Sequence, residues 1–319
     1  MSADSSPPAA PETGAERHKR ALRAAGFALA SALCFVGVPI CVRYLSAWLG
    51  AAEIAALRNA IGFCLLLPWA TQAVWRGGWK ALAPGPFKFH VLRALCNGAG
   101  MIVWFWAIAH MQIGDAMALQ FTLPLWTVVF AALLLGEHIG PRRIAALLVG
   151  FGGVLIIMRP GFAEIGLPAG AALTSAALYA LAVILIRRQT QNASPVIIMF
   201  YTTPLMALVA LGPALLDWRP VPAAALPWLV ALGVVGFLAQ FLLAHALKLA
   251  EAKVVIVFDF LRMPLAAAAA FVLFGELSDL WTWIGAAVIF GATYYTAQRD
   301  AKTARRGAIP PEATHETKA

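Results

Sequence analysis

The sequence predicts an all-α membrane protein, with ten transmembrane helices arranged as two inverted five-helix repeats. Three observations carry this prediction. First, 61% of the 319 residues are hydrophobic and only 12% are charged, with a mean hydropathy of +0.79. A soluble domain carries about 25% charged residues, and no soluble fold of this length has interior enough for so much apolar surface. Second, apolar runs of the length a bilayer demands, about 20 residues per helix, recur along the chain. Third, the chain contains itself. Gln112–Gly153 aligns without a gap on Glu251–Ala292, so that Phe121, Ala131, Leu134, Gly136, Glu137, Val149, Phe151 and Gly152 fall on Phe260, Ala270, Leu273, Gly275, Glu276, Val288, Phe290 and Gly291. Gly26, Ala28, Leu29, Ser31, Ala32, Ile40 and Arg43 likewise fall on Gly170, Ala172, Leu173, Ser175, Ala176, Ile184 and Arg187.

Taken in order, the expected spans of the first half are 24–43, 53–75, 89–110, 114–136 and 142–158. Those of the second half are 166–186, 195–216, 225–248, 253–275 and 280–298. Span 1 begins an apolar run at Ala24 that is too long for a cleavable signal and belongs to the repeat. Span 2 carries an arginine, Arg58, about five residues in. Span 3 holds Gly98 and Gly100, small residues that let helices approach closely. Span 4 is interrupted by Pro124, which removes a backbone N–H and permits a kink, and ends at Leu135-Gly136-Glu137.

Span 5 opens at Pro141, carries Gly150, Gly152 and Gly153, and stops at Arg159-Pro160-Gly161, the boundary between halves. Spans 6 to 10 repeat spans 1 to 5, with Pro264 interrupting span 9, Phe274-Gly275-Glu276 ending it, and Gly285 and Gly291 in span 10. Five is odd, so the second copy enters the membrane in the opposite sense. The small residues of spans 5 and 10 serve internal packing or a homodimer face. Glu137 and Glu276 sit at tight hairpins, where a carboxylate accepts orphan backbone N–H groups at the start of the following helix. Residues 1–23 and 299–319 are expected to be disordered cytoplasmic tails, flanking repeats at 24–160 and 161–298.

The net charge of +9 is a topology signal. Most of the 24 Lys and Arg fall on the side of the N-terminus; Arg43, Arg159 and Arg219 fall opposite, and Arg58 and Arg262 lie within spans. This positive-inside bias places both termini in the cytoplasm and the chain in a bacterial-type inner membrane. It leaves no role for nucleic acid. The four cysteines, Cys34, Cys41, Cys64 and Cys96, all lie within spans and read as packing residues. No spacing resembles a metal or cofactor site, and no P-loop points to ATP.

The run from Ala107 through Gln112-Ile113-Gly114-Asp115 to Leu125, the Leu-Gly-Glu137 turn, the run Gly150 to Gly161 and Leu57-Arg58 together resemble the drug/metabolite transporter superfamily, in its EamA-like ten-helix branch. The resemblance covers about residues 24–298. It implies a central cavity lined mainly by spans 1, 3, 4, 6, 8 and 9. It also implies transport of a small organic solute: an amino acid or other metabolite, a nucleotide sugar, a vitamin or S-adenosylmethionine.

Ionisable groups inside a bilayer cost about 2.5–3.5 kcal/mol at a helix centre on insertion scales, so each needs a reason. Arg58 lies about 8 Å below the outer surface, with Asn59, Gln120 and Trp104 at a similar level. It either grips an anionic substrate group or pairs with Glu53, Asp115 or a helix C-terminal carbonyl. Asp259, which falls on Gln120 in the repeat, and Arg262 share a face of span 9. They form an inner gate, a proton-coupling carboxylate or a mutually neutralising pair, with Gln240 nearby. Phe35, its repeat mate Tyr179, and Trp126 lie between the two levels and suit stacking on an amphipathic solute. Asn97 on span 3 completes the candidates.

The expectation is an inner-membrane secondary transporter of an amino acid or related solute, with possible proton coupling. The alternative is an importer of a vitamin or S-adenosylmethionine-like nucleoside. An integral-membrane enzyme would need convergent catalytic groups, and the six histidines are scattered. A channel would need a continuous polar stripe.

Overall fold

A computed structural model describes residues 14–77, 86–136, 140–159, 166–189, 195–249 and 261–307. Its regular structure is helical: α1 (Gly14–Leu45), α2 (Ala51–Gly77), α3 (Phe87–His110), α4 (Ile113–Gln120), α5 (Leu123–Leu135), α6 (Pro141–Met158), α7 (Leu167–Gln189), α8 (Pro195–Ala214), α9 (Leu226–Leu249), α10 (Arg262–Phe274) and α11 (Leu280–Gly307). Short 3₁₀ turns at 215–217 and 223–225 join α8 to α9.

Among the described residues, seven helices are long and apolar enough to cross a membrane, counting α4 and α5 as one. Ile144–Met158 in α6 and Arg262–Phe274 in α10 are apolar but shorter. The chain is therefore a multi-pass membrane protein. Among the described residues, span 4 is not a single helix. Span 4 breaks at Phe121–Thr122, just ahead of Pro124, into α4 and α5. Pro124 has no N–H to donate to Gln120 O, four residues back, and the helix restarts where the Leu125 and Trp126 N–H groups donate to Thr122 O.

The tails differ from expectation. α1 starts at Gly14 and α11 runs to Gly307, so residues 14–23 and 299–307 are helical. Both stretches are rich in Ala, Arg and Lys, strong helix formers that extend a helix already nucleated in the bundle. The two copies of the hairpin turn match closely. Gly136 and Gly275 end α5 and α10 with left-handed φ of 67° and 68°, a conformation glycine adopts without steric cost.

Packing follows the repeat. α1 lies on α9 and α3 on α7, a pair of contacts that interchange when the halves are exchanged. The contacts α2–α9 and α3–α8 interchange in the same way, and α2–α8 and α6–α11 map onto themselves. Each seam joins the two halves. Ser31 Oγ in α1 donates to Ala239 O in α9 at 2.8 Å, fixing that seam's register.

The α6–α11 seam uses glycine on both sides. A Cβ on Gly153 would stand 2.8 Å from Gly285 O, and one on Gly285 only 2.6 Å from Gly153 O. The small-residue face expected as a homodimer surface is thus largely occupied within one chain. Gly285→Leu is expected to lower the melting temperature in detergent by about 5 °C, because backbone on the far side cannot yield. Gly291→Leu, with nothing within 4 Å of its Cβ position, should leave the melting temperature unchanged.

Candidate functional site

Four helices, two from each half, converge on Arg58. Its guanidinium leaves α2 toward the bundle interior. Nη1 is 3.4 Å from Asn59 Oδ1, a long contact, and 3.5 Å from Met101 Sδ of α3, a weak acceptor. Asn59 Nδ2 is held by Ala55 O at 2.8 Å and also reaches Met101 Sδ at 3.3 Å, so the acceptor beside Arg58 is fixed in orientation. Tyr179 of α7 lies within electrostatic reach of the cation. Its ring covers Gly100, where a Cβ would stand 3.4 Å from Cδ1 and Cε1. Gly236 of α9 closes the fourth side.

None of the expected structural partners takes this arginine: neither Glu53 nor Asp115 forms an ion pair with it among the described residues. Nε is buried and has no hydrogen-bond partner. A cation in this position is costly until an acceptor arrives.

A second group lies beside the break in span 4. The Arg262 guanidinium at the start of α10 sits over the Phe35 ring, 4.5 Å from its centroid, and over the Phe121 ring at 5.9 Å. Arg262 thus lies at the level of Phe35, in the middle of α1. The reason is that α10 begins beside the α4–α5 break, which brings Phe121 against it. Gln120, the last residue of α4, keeps a buried Oε1 with no hydrogen-bond partner. Asp259 lies outside the described residues.

The other expected positions are dispersed. Trp104 is buried in the core on α3 and Asn97 half-buried on the same helix. Trp126 packs edge-on against Phe151 of α6, with ring centroids 5.0 Å apart, and parallel to Phe130; its buried Nε1 has no acceptor. Gln240 on α9 is exposed. The structure therefore unites Arg58 with Tyr179, and Phe35 with Arg262, and sets Trp126 against α6.

At the face of the bundle opposite the termini, polar residues of the two halves interlock. Arg43, at the end of α1, pairs with Glu276 at 2.7 Å and donates to Met111 O. The other Glu276 oxygen accepts the Ile113 N–H at 2.8 Å, capping α4. Thr282 Oγ1 donates to Asp115 Oδ1 at 2.8 Å, and Arg159 pairs with Asp279. Gly114 lies so close to Ser278 that a Cβ would be 2.0 Å from its Oγ.

Glu276 does accept an orphan N–H, as expected, but that of α4 rather than that of the helix following it. The left-handed turn at Gly275 aims the carboxylate across the seam. Arg43, Asp115, Arg159, Asp279 and Thr282 are not among the expected site residues, because each reads alone as an ordinary helix-end group. The available signal was Arg43 and Glu276 recurring as Arg187 and Glu137 in the repeat.

The structure is a bundle of apolar helices with the part-buried Arg58 cation among α2, α3, α7 and α9 and an interlocked polar seam at one face. The chain belongs to the EamA-like transporter family, whose model matches residues 22–159 and again 167–298. It is 29% identical over 290 residues to a riboflavin transporter of Vibrio cholerae serotype O1, covering 89% of this chain and 96% of the relative. It is 32% identical to the pseudopaline exporter CntI of Pseudomonas aeruginosa, covering 78% and 86%. It is 27% identical to an S-adenosylmethionine uptake transporter of Rickettsia bellii, covering 82% and 88%.

Proposed function

We propose that this protein carries a planar, acceptor-rich heteroaromatic solute of the riboflavin kind across a bacterial-type inner membrane. The riboflavin and S-adenosylmethionine names among its relatives favour the vitamin or nucleoside alternative over an amino acid. The observation that carries the choice is the Arg58 guanidinium, buried without a carboxylate partner and with an unused Nε–H. A fork donor of this kind matches two acceptors held in one plane. An isoalloxazine ring system offers them on its pyrimidinedione edge, while its aromatic faces suit Tyr179. S-adenosylmethionine brings a sulfonium and an ammonium toward the Arg58 cation. Repulsion between like charges in a low dielectric disfavours that cargo.

In this reading the two five-helix repeats are inverted and rock about Arg58, with both termini cytoplasmic. The exchangeable α1–α9 and α3–α7 seams support that motion. The Arg43–Glu276 face is the outer side, closed in this conformation. Counterflow of labelled riboflavin into proteoliposomes preloaded with unlabelled riboflavin tests the assignment. Imposing a pH gradient on the same vesicles sorts the driving force. Stimulated uptake identifies proton coupling, and uptake that responds only to preloading identifies exchange.

A further inference from the structure

We infer that Gly236 is a positioning residue for the solute, acting through Arg58; this rests on the reading of Arg58 as the solute's donor. The guanidinium has two working edges. Nη1 is engaged by Asn59 Oδ1 and Met101 Sδ. The side-on edge, Nε and Nη2, faces α9 at Gly236. A Cβ on Gly236 would stand 2.6 Å from Nη2, 2.9 Å from Nε and 3.1 Å from Cζ. Those distances leave no place for a methyl group, so the fork lies against the bare helix backbone.

The same helix face meets α2 one turn earlier. A Cβ on Gly233 would be 2.4 Å from Ile61 Cγ2. Residues 233 and 236 on α9 thus oppose 61 and 58 on α2, both pairs at the three-residue spacing that shares a helix face. Gly233 seats an aliphatic side chain. Gly236 seats the one donor edge that lacks an acceptor.

The consequence is a coupling between cargo and helix position. With no cargo, the Nε–H is covered by glycine and unsatisfied, a costly arrangement for a buried donor. A planar acceptor pair satisfies the fork only where α9 backs away from α2, and α9 lies on α1 across the interface between the halves. Any side chain at 236 pushes the guanidinium off its seat and fills the space before its Nε–Nη2 edge, so the planar fork is no longer aimed at the acceptor pair. The guanidinium is the far end of a flexible side chain, so Gly236→Ala costs binding more than folding.

The test combines riboflavin binding, read by flavin fluorescence quenching on the full chain in detergent, with melting temperatures of the solute-free protein. The variants are Gly236→Ala, Gly233→Ala, Arg58→Ala and Arg58→Ala with Gly236→Ala. Gly236→Ala should weaken binding about tenfold, and Gly233→Ala, which crowds only Ile61, less than about twofold. On the Arg58→Ala background, Gly236→Ala should change neither binding nor melting temperature further, because the group it acts through is gone. Equal effects of the two glycine variants, or additive effects of Gly236→Ala and Arg58→Ala, would overturn the inference. Wild-type protein that binds no riboflavin overturns the proposed cargo instead. The melting-temperature cycle then decides the Gly236–Arg58 contact alone, and an additive cycle rejects it.

Discussion

Arg58→Ala abolishes riboflavin counterflow, with a loss of about 100-fold or more expected. Two hydrogen bonds from a charged donor are each worth about 1.5–3 kcal/mol, and their joint loss reaches that factor. Arg58→Lys keeps the charge but replaces a planar fork with a point donor, so it should recover only a small part of the activity. Stability separates this role from a structural one. Arg58 sits in the bundle with one long contact and one thioether contact on Nη1 and no acceptor on Nε. Arg58→Met removes an uncompensated cation and leaves an apolar side chain of similar length. The solute-free variant should melt at the wild-type temperature or above it. An arginine that holds helices together would give the opposite sign, since removing one partner of a buried charge pair is destabilising.

Glu276→Gln releases the interlocked face. In the wild type, Glu276 uses one oxygen for Arg43 and the other for the Ile113 N–H. Glutamine retains an acceptor for the amide and loses the ion pair, which is partly exposed, so the loss is modest beside that of a fully buried pair. An ion pair of this kind at a moving seam shifts the equilibrium between closed and open faces by about tenfold. Ala116, on α4 behind the seam, is fully buried. With the four native cysteines replaced, Ala116→Cys should react with an impermeant maleimide about ten times faster in the Glu276→Gln background. Unchanged labelling would mean that the seam is held elsewhere.

The parts of this molecule that were legible from sequence are those governed by local chemistry or by the repeat. Apolar runs located the helices, and Pro124 located the break in span 4, because a missing N–H acts within one turn. Arg58 stood out because a charge at bilayer depth is costly and needs a reason. What could not be read is which side chains meet across seams. That Arg262 lies over Phe35 could not be read, since its neighbours depend on where α10 starts beside the α4–α5 break. Trp126 has the right depth and faces α6, because depth along a helix does not fix azimuth. Glu276 was expected to serve its own hairpin. A left-handed glycine turned it toward α4, contributed by the other half of the chain.

The central claim is that a buried, unpaired arginine selects a flat, uncharged, acceptor-rich solute. Counterflow measured in parallel for riboflavin and S-adenosylmethionine, in proteoliposomes of wild type and Arg58→Ala, tests it most directly. The account predicts riboflavin exchange in the wild type that is lost in Arg58→Ala, and no S-adenosylmethionine exchange in either. Exchange of S-adenosylmethionine by the wild type without riboflavin exchange, or riboflavin exchange undiminished in Arg58→Ala, would contradict it.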